Sequence, residues 1–219
     1  MRHTHLMETK PQTDFVRARR MHERGRYDEA TIHAVLDAAP VCHVGHLIDG
    51  RPVVIPTFHW RDGDVVYWHG SAASRMLRAN ARGEEVCLTA TLLDGFVLAR
   101  SGFHHSVNYR AAMCFGVPRL VTDTAEKLGA LKGFMERLFP GRWDGLRPIT
   151  AQELKATSVL ALTISEASAK LRDAPPGDDP GDETWPIWGG VLPVHLAAGA
   201  PQPDRYATAD QLPPATPFT

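Results

Sequence analysis

The sequence predicts a mainly β protein, an antiparallel barrel that is closed or nearly closed, with two to three helices outside it. Three observations carry this. Val, Ile, Thr and aromatic residues crowd into short runs between residues 41 and 123. Asp49-Gly50, Asp62-Gly63 and Asp94-Gly95 fall between consecutive runs, and Asp-Gly tolerates the positive φ angles of a tight hairpin. Tight turns join antiparallel neighbours, whereas parallel strands need long crossovers, so the pattern reads as meanders and not βαβ units. Closure of such a sheet removes its unpaired edges. At 219 residues the chain can bury a core without disulfide or metal staples.

The elements follow in order. Residues 1–26 are polar, with no apolar signal core, and Arg17, Arg19, Arg20, Arg24 and Arg26 make them locally basic. They read as a solvated arm or, alternatively, as an arm reaching a phosphate on a neighbouring subunit. Asp28–Ala39 is a helix with Ile32, Val35, Leu36 and Ala39 on one stripe, ended by Pro40. Strands are predicted at Val41–Ile48, Arg51–Trp60, Asp64–Trp68, Glu85–Leu93 and Phe96–Ser101, and Asn108–Asp123 is a longer strand bent at Gly116-Val117-Pro118. A helix begins near Ser71, which can cap it. Thr124–Leu138 is a helix capped by Thr124, with Leu128, Leu131, Met135 and Leu138 inward, and Phe139-Pro140-Gly141 stops it. Thr157–Ile164 is the final strand. From Asp173 the composition changes, and ten of the 17 prolines lie in Pro175–Pro217. Trp185 and Trp188 stand out there and are expected to dock. The chain thus divides into an arm (1–26), a barrel domain (27–172) and a Pro-rich extension packed on the barrel (173–219).

Bulk chemistry excludes several classes. With 24 basic and 25 acidic residues, a net charge of -1 generates no field for nucleic acid or an anionic membrane. No apolar run approaches the ~18 residues of a membrane helix, so a cytoplasmic location is expected. Cys42, Cys87 and Cys114 are far apart and flanked by apolar residues, which suits buried hydrophobes better than disulfides or zinc ligands. Neither His43 with His46 nor His104 with His105 can face one metal from a strand, so no metal site is expected. The glycine patterns of Rossmann and Walker folds are absent, as are G-x-S-x-G and H-E-x-x-H.

Chemistry concentrates where the strand Val65–Trp68 runs into His69-Gly70-Ser71-Ala72-Ala73-Ser74-Arg75. Two serines, a guanidinium and a helix start make an anion site, and Gly70 allows close backbone approach. Tyr67 and Trp68 beside it suit a phosphate attached to a flat ring. The ordinary alternative is a capped helix followed by an exposed Arg. Pro52 and Pro56 free backbone groups along an edge strand, which can bind a ring's polar rim. Ser101–Arg110 is either a hairpin loop or a pocket wall shared across a dimer. Lys170 and Arg172 are either an anion contact or a solvated patch.

With these residues in place, the chain resembles the flavin-nucleotide-binding proteins of the pyridoxamine 5′-phosphate oxidase-related superfamily, and within it the nitroimidazole-resistance (nitroimidazole reductase) branch. The resemblance runs from Arg24 to Val194. It rests on ordered blocks: Tyr27-Asp28-Glu29-Ala30-Thr31-Ile32; Val53–Thr57; Tyr67-Trp68-His69-Gly70-Ser71 followed by Ser74-Arg75-Met76; Leu92-Leu93-Asp94-Gly95; Ala99-Arg100-Ser101; His104-His105-Ser106; Asn108-Tyr109-Arg110; Pro140-Gly141-Arg142-Trp143; Ala169-Lys170-Leu171-Arg172; and Trp188-Gly189-Gly190-Val191-Leu192-Pro193. The resemblance implies a split β-barrel, a homodimer, and FMN at the subunit interface. It further implies that Val54, Ile55, Pro56, Thr57, His69, Gly70, Ser71, Ser74, Arg75, Met76, Asn108, Lys170 and Trp188 surround the cofactor, and that His69 acts in catalysis beside the flavin. Ala111 and Gly189 depart from the family's common serine and alanine. The expected function is FMN-dependent reduction of a small organic acceptor, nitroaromatics included, with NAD(P)H binding transiently as donor. Two alternatives stay open: a flavin-binding or sensing protein without turnover, and a haem-binding split barrel with His69, His104 or His105 as axial ligand.

Overall fold

Capping side chains and turn residues set the element boundaries. The structure, a computed structural model, describes residues 9–10, 12–208 and 210–217. Helix α1, Glu29–Ala38, begins where the Asp28 carboxylate accepts the Thr31 N–H at 2.8 Å, and it buries Ile32, Val35 and Leu36. Strands β2, Val41–Ile48, and β3, Arg51–Asp62, meet at Asp49-Gly50, where both φ angles are positive. They are preceded by the short β1, Gly25–Arg26. Gly63 makes the next turn, into β4, Val65–Ser71. Then come α2, Arg75–Asn80; β5, Val86–Leu98; β6, Ser106–Gly116; β7, Arg119–Leu120; α3, Thr124–Leu138; α4, Ala151–Ala156; β8, Thr157–Thr163; β9, Glu166–Arg172; and β10, Gly190–Pro193.

The ten antiparallel strands run in the order β1-β9-β6-β5-β2-β3-β4-β8-β7, with β10 alongside β5. Among the described residues the two ends do not pair, so the barrel is split and not closed. The cause is β3. Its residues 51–58 pair with β2, and its residues 59–62 pair with β4. One long strand thus serves two sheets, changing partner between Phe58 and His59. The main core, with Ile32, Leu36, Val44, Trp68, Leu77, Leu88, Leu160 and Leu162, fills the space between the sheets. A second apolar cluster, Trp60, Val121, Ala130, Leu131, Val159 and Ala161, lies under α3 on the outer face of β4 and β8.

Several expectations are corrected here. Asp94-Gly95 is not a turn. It sits inside β5 at a register shift against β6. There Asp94 accepts two hydrogen bonds from Arg110 (2.7 and 3.0 Å), and a side chain at Gly95 would meet the Leu192 carbonyl of β10 at 3.0 Å. The bulge lets one strand carry both β6 and β10. The expected strand Asn108–Asp123 starts at Ser106 and breaks after Gly116, because its continuation β7 changes partner to β8. Ser74 and Asp123, not Ser71 and Thr124, cap α2 and α3. Thr157–Thr163 is not the last strand. Helix α4, with its Thr150/Glu153 capping box, was also missed.

The described part of the arm is not a free tail. Lys10 is buried between Glu29 (2.6 Å) and Asp64 (2.9 Å), and Asp64 also meets His33 at 3.0 Å. In the extension, Asp178 accepts from the Arg100 N–H and guanidinium, both at 2.7 Å. Trp185 and Trp188 do not dock on their own chain, being 66% and 59% exposed. All three cysteines are free thiols, and burial pushes Cys42 and Cys114 up to about 12. No helix among the described residues is long and apolar enough to cross a membrane.

Candidate cofactor sites

Period-2 alternation decides where the opening motif points. Along β4, Val66 and Trp68 enter the core, so Tyr67 and His69 face outward, under α3. The Trp60 and Tyr67 rings stack there, 5.8 Å apart and 16° from parallel. The His69 ring lies edgewise to Trp60 (5.5 Å) and to Phe134 of α3 (4.6 Å), at 64° to each. It also lines a cavity of about 910 Å³ with Leu128, Leu131, Met135, Trp143, Leu146 and Ile149. That size suits a large organic cofactor.

Burial lowers the His69 pKa, and no compensating partner raises it, so the imidazole is held uncharged. Its Nδ1 is buried and unpartnered among the described residues. Nε2 is therefore the ring nitrogen that keeps an open approach. The cavity mouth is charged, with Arg147 paired to Glu153 (2.5 and 2.9 Å) and Lys132 to Asp144 (3.2 Å). An apolar slot, one uncharged imidazole and a charged rim together suit a planar, metal-bearing ring with ionic substituents.

A second cavity, of about 340 Å³, lies between the β2–β3 hairpin and α2, lined by His46, Ile48, Arg51, Pro52, Val53, Ile55, Arg75 and Met76. Here the anion argument needs revision. Helix α2 has six residues, and the Ser74 hydroxyl is taken up accepting the Leu77 N–H at 3.4 Å. The cation is the Arg75 side chain itself, 72% exposed and only loosely met by Asp49 at 3.5 Å.

The expected site residues therefore separate. Ile55, Arg75 and Met76 come together at the smaller cavity, with Ser74 fixing the start of α2. Thr57 shares Ile55's face of β3, while Val54 and Pro56 point out to solvent. Gly70 works through packing, because a side chain there would meet Leu77 at 3.1 Å. The exposed Ser71 accepts the Ala73 N–H at 3.2 Å, within the turn. His69 stands on the other side, in the larger cavity. Asn108 is buried, its carbonyl oxygen already accepting from Arg172 and from the Ala174 N–H (3.1 Å). Lys170 reaches the Arg20 carbonyl at 3.4 Å, and Trp188 stays on the exposed extension. His104 faces Asp179 at 3.1 Å and His105 the Ser101 carbonyl at 2.8 Å, so neither lines the larger cavity.

Sequence reasoning missed the cavity under α3, and with it Phe134 and Trp143. The available signal was the α3 stripe itself, since Leu128 and Met135 are only half-buried and look onto the cavity. It also missed His46 and Arg51. His46 was legible, as it follows Cys42 and Val44 on the inward face of β2.

The sequence profile described as pyridoxamine 5′-phosphate oxidase matches residues 28–171. Among solved structures, the chain is similar to a flavocytochrome from Azotobacter vinelandii, at 44% identity and TM-score 0.86, covering 92% of this chain and 94% of that one. It is similar to a protein from Mycobacterium smegmatis described as FAD- and haem-binding, at 37% identity and TM-score 0.82, covering 87% and 94%. A Bacteroides thetaiotaomicron protein described as a 5-nitroimidazole antibiotic resistance protein shares the fold at 22% identity and TM-score 0.57, covering 67% and 85%. No curated protein matches the chain.

Proposed function

Because the chain belongs to the pyridoxamine 5′-phosphate oxidase family, whose flavin-binding fold it has, we propose that it is a redox protein binding both a flavin nucleotide and haem. The observation that carries the haem half is His69, whose uncharged imidazole looks into an apolar cavity of about 910 Å³. The names of the two relatives above 35% identity, flavocytochrome and FAD- and haem-binding protein, point the same way. The second of these names also favours FAD over the FMN expected from sequence.

Both groups fit the residues present. A flavin accepts hydride and releases single electrons, and a haem iron supplies one-electron exchange. The chain's own residues do the rest. His69 would hold the haem iron through a ring nitrogen, its ring packed between Trp60 and Phe134. Leu128, Leu131 and Met135 exclude water from that slot. Arg147, at the mouth, can exchange its Glu153 partner for a propionate. On the other face of the barrel wall, Arg75 offers charge-assisted hydrogen bonds to a phosphate, and Ile55 and Met76 give apolar contact. NAD(P)H is the proposed transient electron donor, a small organic molecule the proposed acceptor, and a homodimer the proposed assembly.

The test is the absorption spectrum of purified protein supplied with haem and flavin. Wild type is expected to show a Soret band and a flavin envelope. His69→Ala is expected to lose the Soret band and keep the flavin, and Arg75→Ala to do the reverse, with flavin affinity down about tenfold. A Soret band unchanged in His69→Ala overturns the assignment of His69 to the haem.

A further inference from the structure

One buried polar atom of the smaller cavity has no explanation in the fold. His46 lies on the inward face of β2 beyond Cys42 and Val44 and is 7% exposed. Its Nδ1 sits 3.2 Å from the Val44 carbonyl. A carbonyl only accepts, so Nδ1 carries the hydrogen, and in that tautomer Nε2 presents a lone pair. Nε2 is buried and has no partner among the described residues. Folded proteins leave few buried acceptors unmet, and those left unmet ask for an account.

The surroundings indicate what would meet it. His46 shares its cavity with Arg51 and Arg75, whose long side chains can bring their guanidinium groups to a ligand there, and the other walls are Ile48, Pro52, Val53, Ile55 and Met76. Two cationic donors and one acceptor in an apolar wall match a molecule that offers an anion and a hydroxyl close together. A bare phosphate satisfies the arginines and leaves the imidazole unmet, whereas a phosphorylated sugar alcohol satisfies both. Resting on the reading that Arg75 holds a flavin nucleotide, we propose that His46 is a further binding residue of that site. Its Nε2 accepts a hydrogen bond from a hydroxyl of the ribityl chain, and Arg51 joins Arg75 on the phosphate. Because Nε2 is buried, this hydrogen bond requires the side chains over it to shift when the ligand binds.

The test uses full-length protein freed of flavin and titrated with FMN, riboflavin and lumiflavin, which lacks the ribityl chain, followed by flavin fluorescence. His46→Leu is expected to weaken FMN and riboflavin about tenfold, the size of one hydrogen bond to a buried group, and to leave lumiflavin unchanged. His46→Gln restores an acceptor and is expected to recover part of the loss, which also guards against a misfolded leucine variant. Equal FMN affinity in wild type and both variants overturns the proposal. So does an equal loss for lumiflavin, which would mean that the ring, not the ribityl chain, feels the change. Absence of flavin binding in wild type brings down the Arg75 reading itself, an outcome distinct from the other two.

Discussion

Two histidines on neighbouring strands show how one residue type takes opposite roles. His59 of β3 points into the core, where its Nε2 meets the Leu36 carbonyl at 2.9 Å. His69 of β4 points outward, against the Trp60 and Phe134 rings, and its Nδ1 has no partner among the described residues. Burial pushes His59 down to about 4, against about 6.5 in an unfolded chain. As pH falls below about 6.5 the unfolded chain takes up this proton and the folded one does not, so its contribution is complete above about 6.5 and lost towards 4. It amounts to about 3 kcal/mol at most. Urea unfolding of wild type and His59→Gln at pH 7, 5.5 and 4.5 checks this. The variant is expected to lose less stability over that interval, and parallel slopes would refute the assignment. His46 marks the limit of sequence reading at this scale. Alternation placed His43 and His46 on opposite faces, which the burial of β2 bears out. Only the fold brings Arg51 and Arg75 to the same cavity.

At the scale of elements, α3 is the roof of the larger cavity. It is tied to the sheet by Ala130 and Leu131 over Trp60 and Val159, and its first turn is held by Asp123 accepting the Glu126 N–H at 2.8 Å. Asp123→Ala removes that cap and is expected to destabilise the protein by about 1 kcal/mol, a fall of roughly 2–4 °C in melting temperature for a chain this long. Since the roof loosens, haem is also expected to transfer faster to an acceptor protein such as apomyoglobin. An unchanged transfer rate would separate the cap from the cavity. The α3 boundaries were legible because the helical period and the Phe139-Pro140-Gly141 stop are local signals. The bulge at Asp94-Gly95 was not. The dipeptide permits a hairpin, and what prevents one here is non-local: the Arg110 guanidinium across the ladder and the β10 backbone against Gly95.

For the whole molecule, the split sheet leaves apolar residues uncovered. Val54 and Phe58 of β3, Phe96 of β5, Leu192 of β10 and Trp188 are all exposed. Large apolar side chains left exposed on a folded chain are candidates for an interaction surface, and a second copy is the proposed occupant. Phe58→Glu is expected to shift the sedimenting species from dimer to monomer at micromolar concentration. Flavin affinity is expected to fall at least tenfold in the same variant if the flavin ring lies at the interface. A Phe58→Glu variant that stays dimeric would place the interface elsewhere.

The sequence alone determined the fold class, the meander of β2, β3 and β4, both long helices and the family, because hairpin dipeptides, helical stripes and ordered motif blocks are local and survive without tertiary information. The tertiary structure alone decided that Asp94-Gly95 is a bulge, and that His69 and Arg75 serve two cavities and not one. The physical reason is alternation combined with strand exchange. Six residues apart in sequence, His69 and Arg75 lie on opposite sides of a barrel wall, and only the packing of α3 on one side and α2 on the other turns each into part of a pocket.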